Sequence, residues 1–160
     1  MKNLKISFLI LMLMASVPVF ADYAPANVQA ALKKLYPAAS DIAWTRDMEY
    51  YVADFMSDGF DTRVWFDADG AWAMKQTDWE TLDQVPAAVY NTFSMSQYGG
   101  GEVHNVTWVQ FPHWQSMVAI ETGMSNVQSK FQLLFTANGD LIRARNVTYM
   151  YNILGATTFL

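Results

Sequence analysis

The chain has 160 residues and no cysteine, and 15 acidic residues against 10 basic ones give a formal net charge of −5 at pH 7. The missing cysteine excludes a disulfide scaffold, thiol chemistry and Cys-ligated metal. The acidic balance argues against nucleic acid and anionic membrane surfaces, which need clustered Lys and Arg.

Residues 1–21 read as an export leader. Lys2 and Lys5 give a positive start, residues 6–19 form an apolar run, and Val19-Phe20-Ala21 places small residues where a signal peptidase reads, leaving Asp22 as the new N-terminus. The run is shorter than the roughly 20 residues that span a bilayer. No basic stop-transfer cluster and no lipidated cysteine follow it. The expected product is a periplasmic or secreted protein with no membrane insertion after cleavage. A bacterial source fits best, since small exported animal domains usually carry disulfides.

The remaining residues, 22–160, suit one ordinary domain with a full core. Their charge is unevenly spread. Residues 22–83 hold 12 acids and 5 bases, whereas residues 84–160 hold 3 of each. A solvated acidic face accounts for such an excess, and a cationic partner surface is the alternative.

Residues 25–36 predict a helix opened by Pro25 and stopped by Pro37. Val28, Ala31, Leu32 and Leu35 keep the spacing of one apolar face, with Lys33 and Lys34 opposite. Four strands follow in the pattern, at 41–47, 49–56, 61–67 and 71–77. The last two are joined by Asp67-Ala68-Asp69-Gly70, a turn flanked by apolar alternation, which is the strongest local hairpin signal.

The same design returns. Leu133-Leu134-Phe135-Thr136-Ala137-Asn138-Gly139 matches the first hairpin, and Pro86-Ala87-Ala88-Val89 echoes Pro25-Ala26-Asn27-Val28. Trp108 is set against Trp44, Val118-Ala119 against Val52-Ala53, Phe135 against Phe66 and Arg143 against Met74. Glu121 then falls where Phe55 stands. The expected fold is α+β: two tandem α-β-β-β-β repeats, at 22–80 and 81–148, forming an antiparallel sheet with both helices on one face. The junction at 79–84 is too short for a flexible linker, so one sheet should run through both units. The apolar tail, 149–160, should dock rather than dangle, and the face away from the helices is either open or covered by it.

These motifs carry a resemblance. Val-Pro-Ala-Ala-Val at 85–89, Ile42 with Trp44, Tyr51 with Ala53 and Phe55, and Phe66-Asp67-Ala68-Asp69-Gly70-Ala71-Trp72 are similar to the PepSY-like exported proteins. These are common in Bacteroidetes and resemble the beta-lactamase-inhibitor protein in fold. No one motif is specific; their order, repeated, carries the likeness over essentially all of residues 22–160. The resemblance implies a binding or inhibitory module without catalytic residues or cofactor, and it supplies no site.

Chemistry-bearing residues are few. Asp67 and Asp69 suggest calcium, but Ala71, Trp72 and Ala73 provide no further ligands, and the second turn keeps the glycine without the carboxylates. His104 and His113 lack the partners a zinc site requires. No Gly-x-Ser-x-Gly elbow or phosphate loop occurs. No catalytic residue, metal ligand or cofactor is therefore expected. The aromatic excess is the more informative feature, at 15% of the chain with six Trp. Trp44, Trp72 and Trp108 read as core. Alternation puts Trp65 with Arg63 on the other face, Tyr50 and Tyr90 point from the core stripe, and Trp79 and Trp114 fall at strand ends or loops. Trp, Tyr and Arg are the usual anchors of interfaces. Trp65, Arg63, Tyr50, Trp79 and Trp114 are thus the candidate residues for an unidentified envelope or extracellular protein or peptide. The alternatives are a tail that covers Trp65, and a carrier enclosing an apolar or sugar-like ligand.

Overall fold

The computed structural model describes residues 23–124, 128–150 and 154–160, so the leader expected at 1–21 lies outside the described residues. Helix α1 (Ala26–Leu35) is followed by strands β1 (Ala43–Asp47), β2 (Tyr50–Ser57), β3 (Phe60–Phe66) and β4 (Trp72–Asp78). A short 3-10 turn (Leu82–Gln84) leads to α2 (Ala87–Met95). Strands β5 (Glu102–Gln110), β6 (Met117–Met124), β7 (Ser129–Thr136) and β8 (Leu141–Asn146) follow, and α3 (Ala156–Phe159) ends the chain.

All eight strands form one antiparallel sheet in chain order, β1 to β8. The α+β architecture expected from the patterning is present, and the ladder between β4 and β5 makes the sheet continuous across the middle of the chain. Helices α1 and α2 each open on a proline, Pro25 and Pro86, whose missing N–H costs nothing at a helix start.

The register shows which side chains share a face. Phe55 lies opposite Thr62, Thr62 opposite Thr77, Thr77 opposite Trp108, Trp108 opposite Val118 and Val118 opposite Phe135. Phe55 packs with Val28 and Leu32 of α1, and Phe135 packs with Val89 and Phe93 of α2. Both helices therefore cover the same face. Trp44, Trp72 and Trp108 are half-buried at the edges of these two clusters.

The hairpin turns fasten to the helices. Gly70 has φ +88° and Gly139 φ +97°, values that favour glycine. A methyl group on Gly139 would sit 2.7 Å from Ala88 O at the start of α2, and one on Gly70 would sit 3.3 Å from Asn27 O at the start of α1. Asn27 Nδ2 also donates to Ala68 O at 2.9 Å, which ties α1 to its turn. In both hairpins the ladder shifts register just before the turn, between Trp65 and Phe66 and between Leu134 and Phe135.

Strand register corrects part of the internal alignment. Val118 lies opposite Phe135 as Tyr51 lies opposite Phe66, so Val118 holds the place of Tyr51 rather than Val52. A one-residue slip moves every side chain to the other face. With the correct register Ile120 corresponds to Ala53, Glu121 to Asp54 and Thr122 to Phe55. Trp108, opposite Val118, corresponds to Arg46, opposite Tyr51, and not to Trp44. Arg143 does lie opposite Leu134 as Met74 lies opposite Trp65.

The tail lies on the face away from the helices. Ala156 and Phe159 pack against Val52, Trp65, Met74, Val109 and Phe111, and Leu154 packs against Ala119 and Leu134. Gln76, buried on this face, donates its Nε2 to Leu154 O. That face is partly covered rather than open.

Candidate protein-interaction surface

The candidate residues divide between the two faces. Trp65 belongs to the core beneath the tail, with 2% of its surface exposed, so the exposure expected from alternation is not found. Alternation correctly gave its face; docking of residues 154–160 removed that face from water. Its Nε1 donates to Asp47 Oδ2 at 2.9 Å, and the same oxygen accepts the Ala156 N–H at 2.6 Å. Tyr50 is half-buried against this cluster. Arg63 is half-buried beside it, its guanidinium 5.8 Å from the Trp65 ring centroid. The fold thus brings Trp65, Tyr50 and Arg63 together.

Trp79 goes elsewhere. It stacks on Trp108, ring centroids 5.1 Å apart at 16°, and packs half-buried against the α2 cluster. A position at a strand end told nothing of that stacking partner.

Trp114 is the exposed aromatic of the set. It lies in the loop between β5 and β6 with 65% of its surface accessible. Its ring is 5.8 Å from that of Phe111, and Phe111 is 5.9 Å from Phe159 of the tail. An aromatic ridge therefore leads from the buried cluster around Trp65 out to solvent. Beside it a notch of about 210 Å³ is lined by Ala73, Phe111, Pro112, His113, Trp114 and Leu160. Sequence reasoning missed Phe111 and Leu160. Leu160 was signalled only as part of an apolar tail that needed a docking place, and Phe111, in the loop after β5, carried no signal of its own.

The remaining motifs have structural tasks. Asp67 Oδ1 accepts from Asp69 N at 3.0 Å and Ala71 N at 2.9 Å, closing the hairpin turn. Among the described residues no group of three or more His, Asp or Glu could hold a metal ion. His104, at the irregularity of the β5–β6 ladder between Val103 and Asn105, and His113, in the loop after β5, are both exposed. Asp54, opposite Arg63, has its carboxyl raised above the usual range by burial, with Asp61 adding to the shift and Arg63 opposing it.

The comparisons with known proteins agree with this geometry. The family model described as "Putative beta-lactamase-inhibitor-like, PepSY-like" matches residues 49–143, more than half of the chain. The chain belongs to this PepSY-like family. A DUF2874 family protein from Bacteroides uniformis has a solved structure 66% identical to it, with TM-score 0.84, covering 86% of this chain and 100% of its own. A second, from Bacteroides eggerthii, is described as one of the "putative periplasmic proteins"; it is 62% identical, with TM-score 0.85, covering 86% and 99%. A BLIP-like protein from Bacteroides fragilis is 33% identical, with TM-score 0.73, covering 81% and 92%. No curated protein matches the chain. The periplasmic description of a close relative agrees with the exported location expected from the leader. No helix among the described residues is long and apolar enough to cross a membrane.

Proposed function

We propose that this PepSY-like protein is a non-enzymatic binding module of the envelope that engages a protein or peptide partner. The observation that carries the reading is Trp114, 65% exposed yet backed by Phe111 and bordering an apolar notch. A rigid aromatic with a buried neighbour presents a large contact area at little entropic cost, which is how interface anchors work. The notch takes an apolar side chain of the partner. The family's inhibitor-like description and a relative named BLIP-like support inhibition of that partner as the outcome of binding.

The carrier reading has less support. The tail packs directly on Trp65 and Met74, so the space that would hold an enclosed ligand is filled by Ala156 and Phe159.

The test is capture of envelope proteins by the protein and by its Trp114→Ala variant, with melting temperatures measured in parallel. A partner held by the parent and lost by an equally stable variant supports the reading. Identical capture by both overturns Trp114 as the anchor. A small molecule retained through purification and seen by native mass spectrometry favours the carrier.

A further inference from the structure

Strand β8 closes the sheet order, and among the described residues its one ladder is to β7. It is exposed along most of its length: among its six residues all but Arg143 are open to solvent. A strand in that position offers a row of backbone N–H and C=O groups to any extended chain that arrives beside it.

The charge on this edge is selective. Residues 84–160 contain three basic residues, Lys130, Arg143 and Arg145, and all three lie on β7 or β8. By register Arg143 is opposite Leu134 and Arg145 opposite Gln132, on the face away from the helices. Lys130 is already engaged, its Nζ 2.9 Å from Glu121 Oε2. Neither arginine forms an ion pair with a described residue. The Nε and Nη2 of Arg143 are buried without a hydrogen-bond partner among the described residues, a costly state for a guanidinium. β8 itself carries no acid. Leu141 and Ile142, 39% and 51% exposed, add apolar surface at one end of the strand.

We infer that the β8 edge receives an extended acidic peptide segment as a ninth strand, its carboxylates at alternate positions pairing with Arg143 and Arg145. The spacing fits: side chains two apart on a strand lie about 7 Å from one another, and alternate residues of an added strand repeat at the same interval. A paired strand sets side chains within about 5 Å of their cross-strand partners, where opposite charges attract and like charges repel.

That rule decides against the other occupants. A second β8 pairing antiparallel would bring arginine pairs against arginine pairs. The β1 edge of another copy presents Arg46 with Asp47, and Asp47 is occupied by Trp65 and Ala156. The two arginines thus guard the edge against self-association while leaving it open to an acidic strand. This surface is separate from the Trp114 notch, so the two readings stand or fall independently.

The experiment uses a fluorescein-labelled peptide of alternating Glu and Val, eight residues long, and its Lys–Val counterpart as control. Binding is read by anisotropy at low and high salt, and the site by hydrogen exchange of the β8 amides. The Glu peptide should bind at least tenfold tighter than the Lys peptide, weaken with salt and slow exchange along β8. Arg143→Glu with Arg145→Glu should abolish this, and Arg145→Glu alone, at an exposed position, should reduce it without touching the fold. Trp114→Ala should bind the peptide as the parent does. Equal binding of both peptides, protection anywhere but β8, or unchanged affinity in Arg145→Glu overturns the proposal. So does concentration-dependent dimerisation through β8 in sedimentation.

Discussion

The indole of Trp65 donates a 2.9 Å hydrogen bond to the carboxylate of Asp47, a residue 18 positions earlier on the edge strand β1. The same Asp47 oxygen holds the backbone N–H of Ala156, 109 positions later. One carboxylate therefore joins the edge of the sheet, its middle and the C-terminal helix. Asp47→Ala leaves two part-buried donors unpaired, at about 1–3 kcal/mol each. The expected outcome in urea unfolding is a loss within that range or somewhat above it. Tryptophan emission should shift to the red as Trp65 meets water.

Trp65→Ala should behave as a core deletion. With the side chain packed among Val52, Met74 and Ala156, its removal is expected to cost about 3–5 kcal/mol. Trp114→Ala, by contrast, should change stability by no more than about 0.5 kcal/mol, as exposed substitutions usually do. Thermal melts of the two variants side by side separate the core tryptophan from the surface one.

Deleting residues 154–160 should uncover the apolar face. Leu154 alone is a buried leucine, worth about 1.5–3 kcal/mol, and Gln76 would lose its acceptor. The expected signs are a lower melting temperature and strong binding of a hydrophobic dye that the full chain does not bind. A truncated protein as stable as the parent and silent to the dye would contradict the docking described above.

The two turn glycines should differ. Both have positive φ, so alanine costs about 1–2 kcal/mol at either from the backbone alone. At Gly139 the new methyl also meets Ala88 O at 2.7 Å, while at Gly70 the nearest atom is 3.3 Å away. Gly139→Ala is therefore the more damaging substitution, and chemical denaturation of the pair checks the order.

Asp54 gives a pH dependence of known sign. Its folded carboxyl titrates above the ordinary aspartate value because burial disfavours the charge. Between the unfolded and the folded pKa the native state binds more protons, so stability falls as pH rises through that window. Asp54→Asn removes this loss. The melting temperature of the variant relative to the parent should climb as pH rises through the carboxylate range and then level off.

Much of the architecture was legible because it is local. Apolar alternation, Asp67 to Gly70 and Asn138-Gly139 at the turns, and prolines at 25 and 86 specify helix, strand and hairpin within a few residues of chain. The four strand spans expected in the first half fall within a few residues of β1 to β4.

Register and covering were not local. Val118 could be set against Val52 or Tyr51 on residue type alone, and only the ladder to Phe135 chose, placing Glu121 with Asp54 on the far face. Alternation sent Trp65 to the correct face but could not say whether water or the tail met it there. The sequence by itself determined the elements, their order and an acidic first half, because these depend on neighbours in the chain. Tertiary structure alone decided that Asp47, Trp65 and Ala156 meet, that Trp114 stays in solvent, and that Arg143 and Arg145 stand on the last strand of the sheet order. Those depend on contacts between residues far apart in the chain, whose geometry no short pattern encodes.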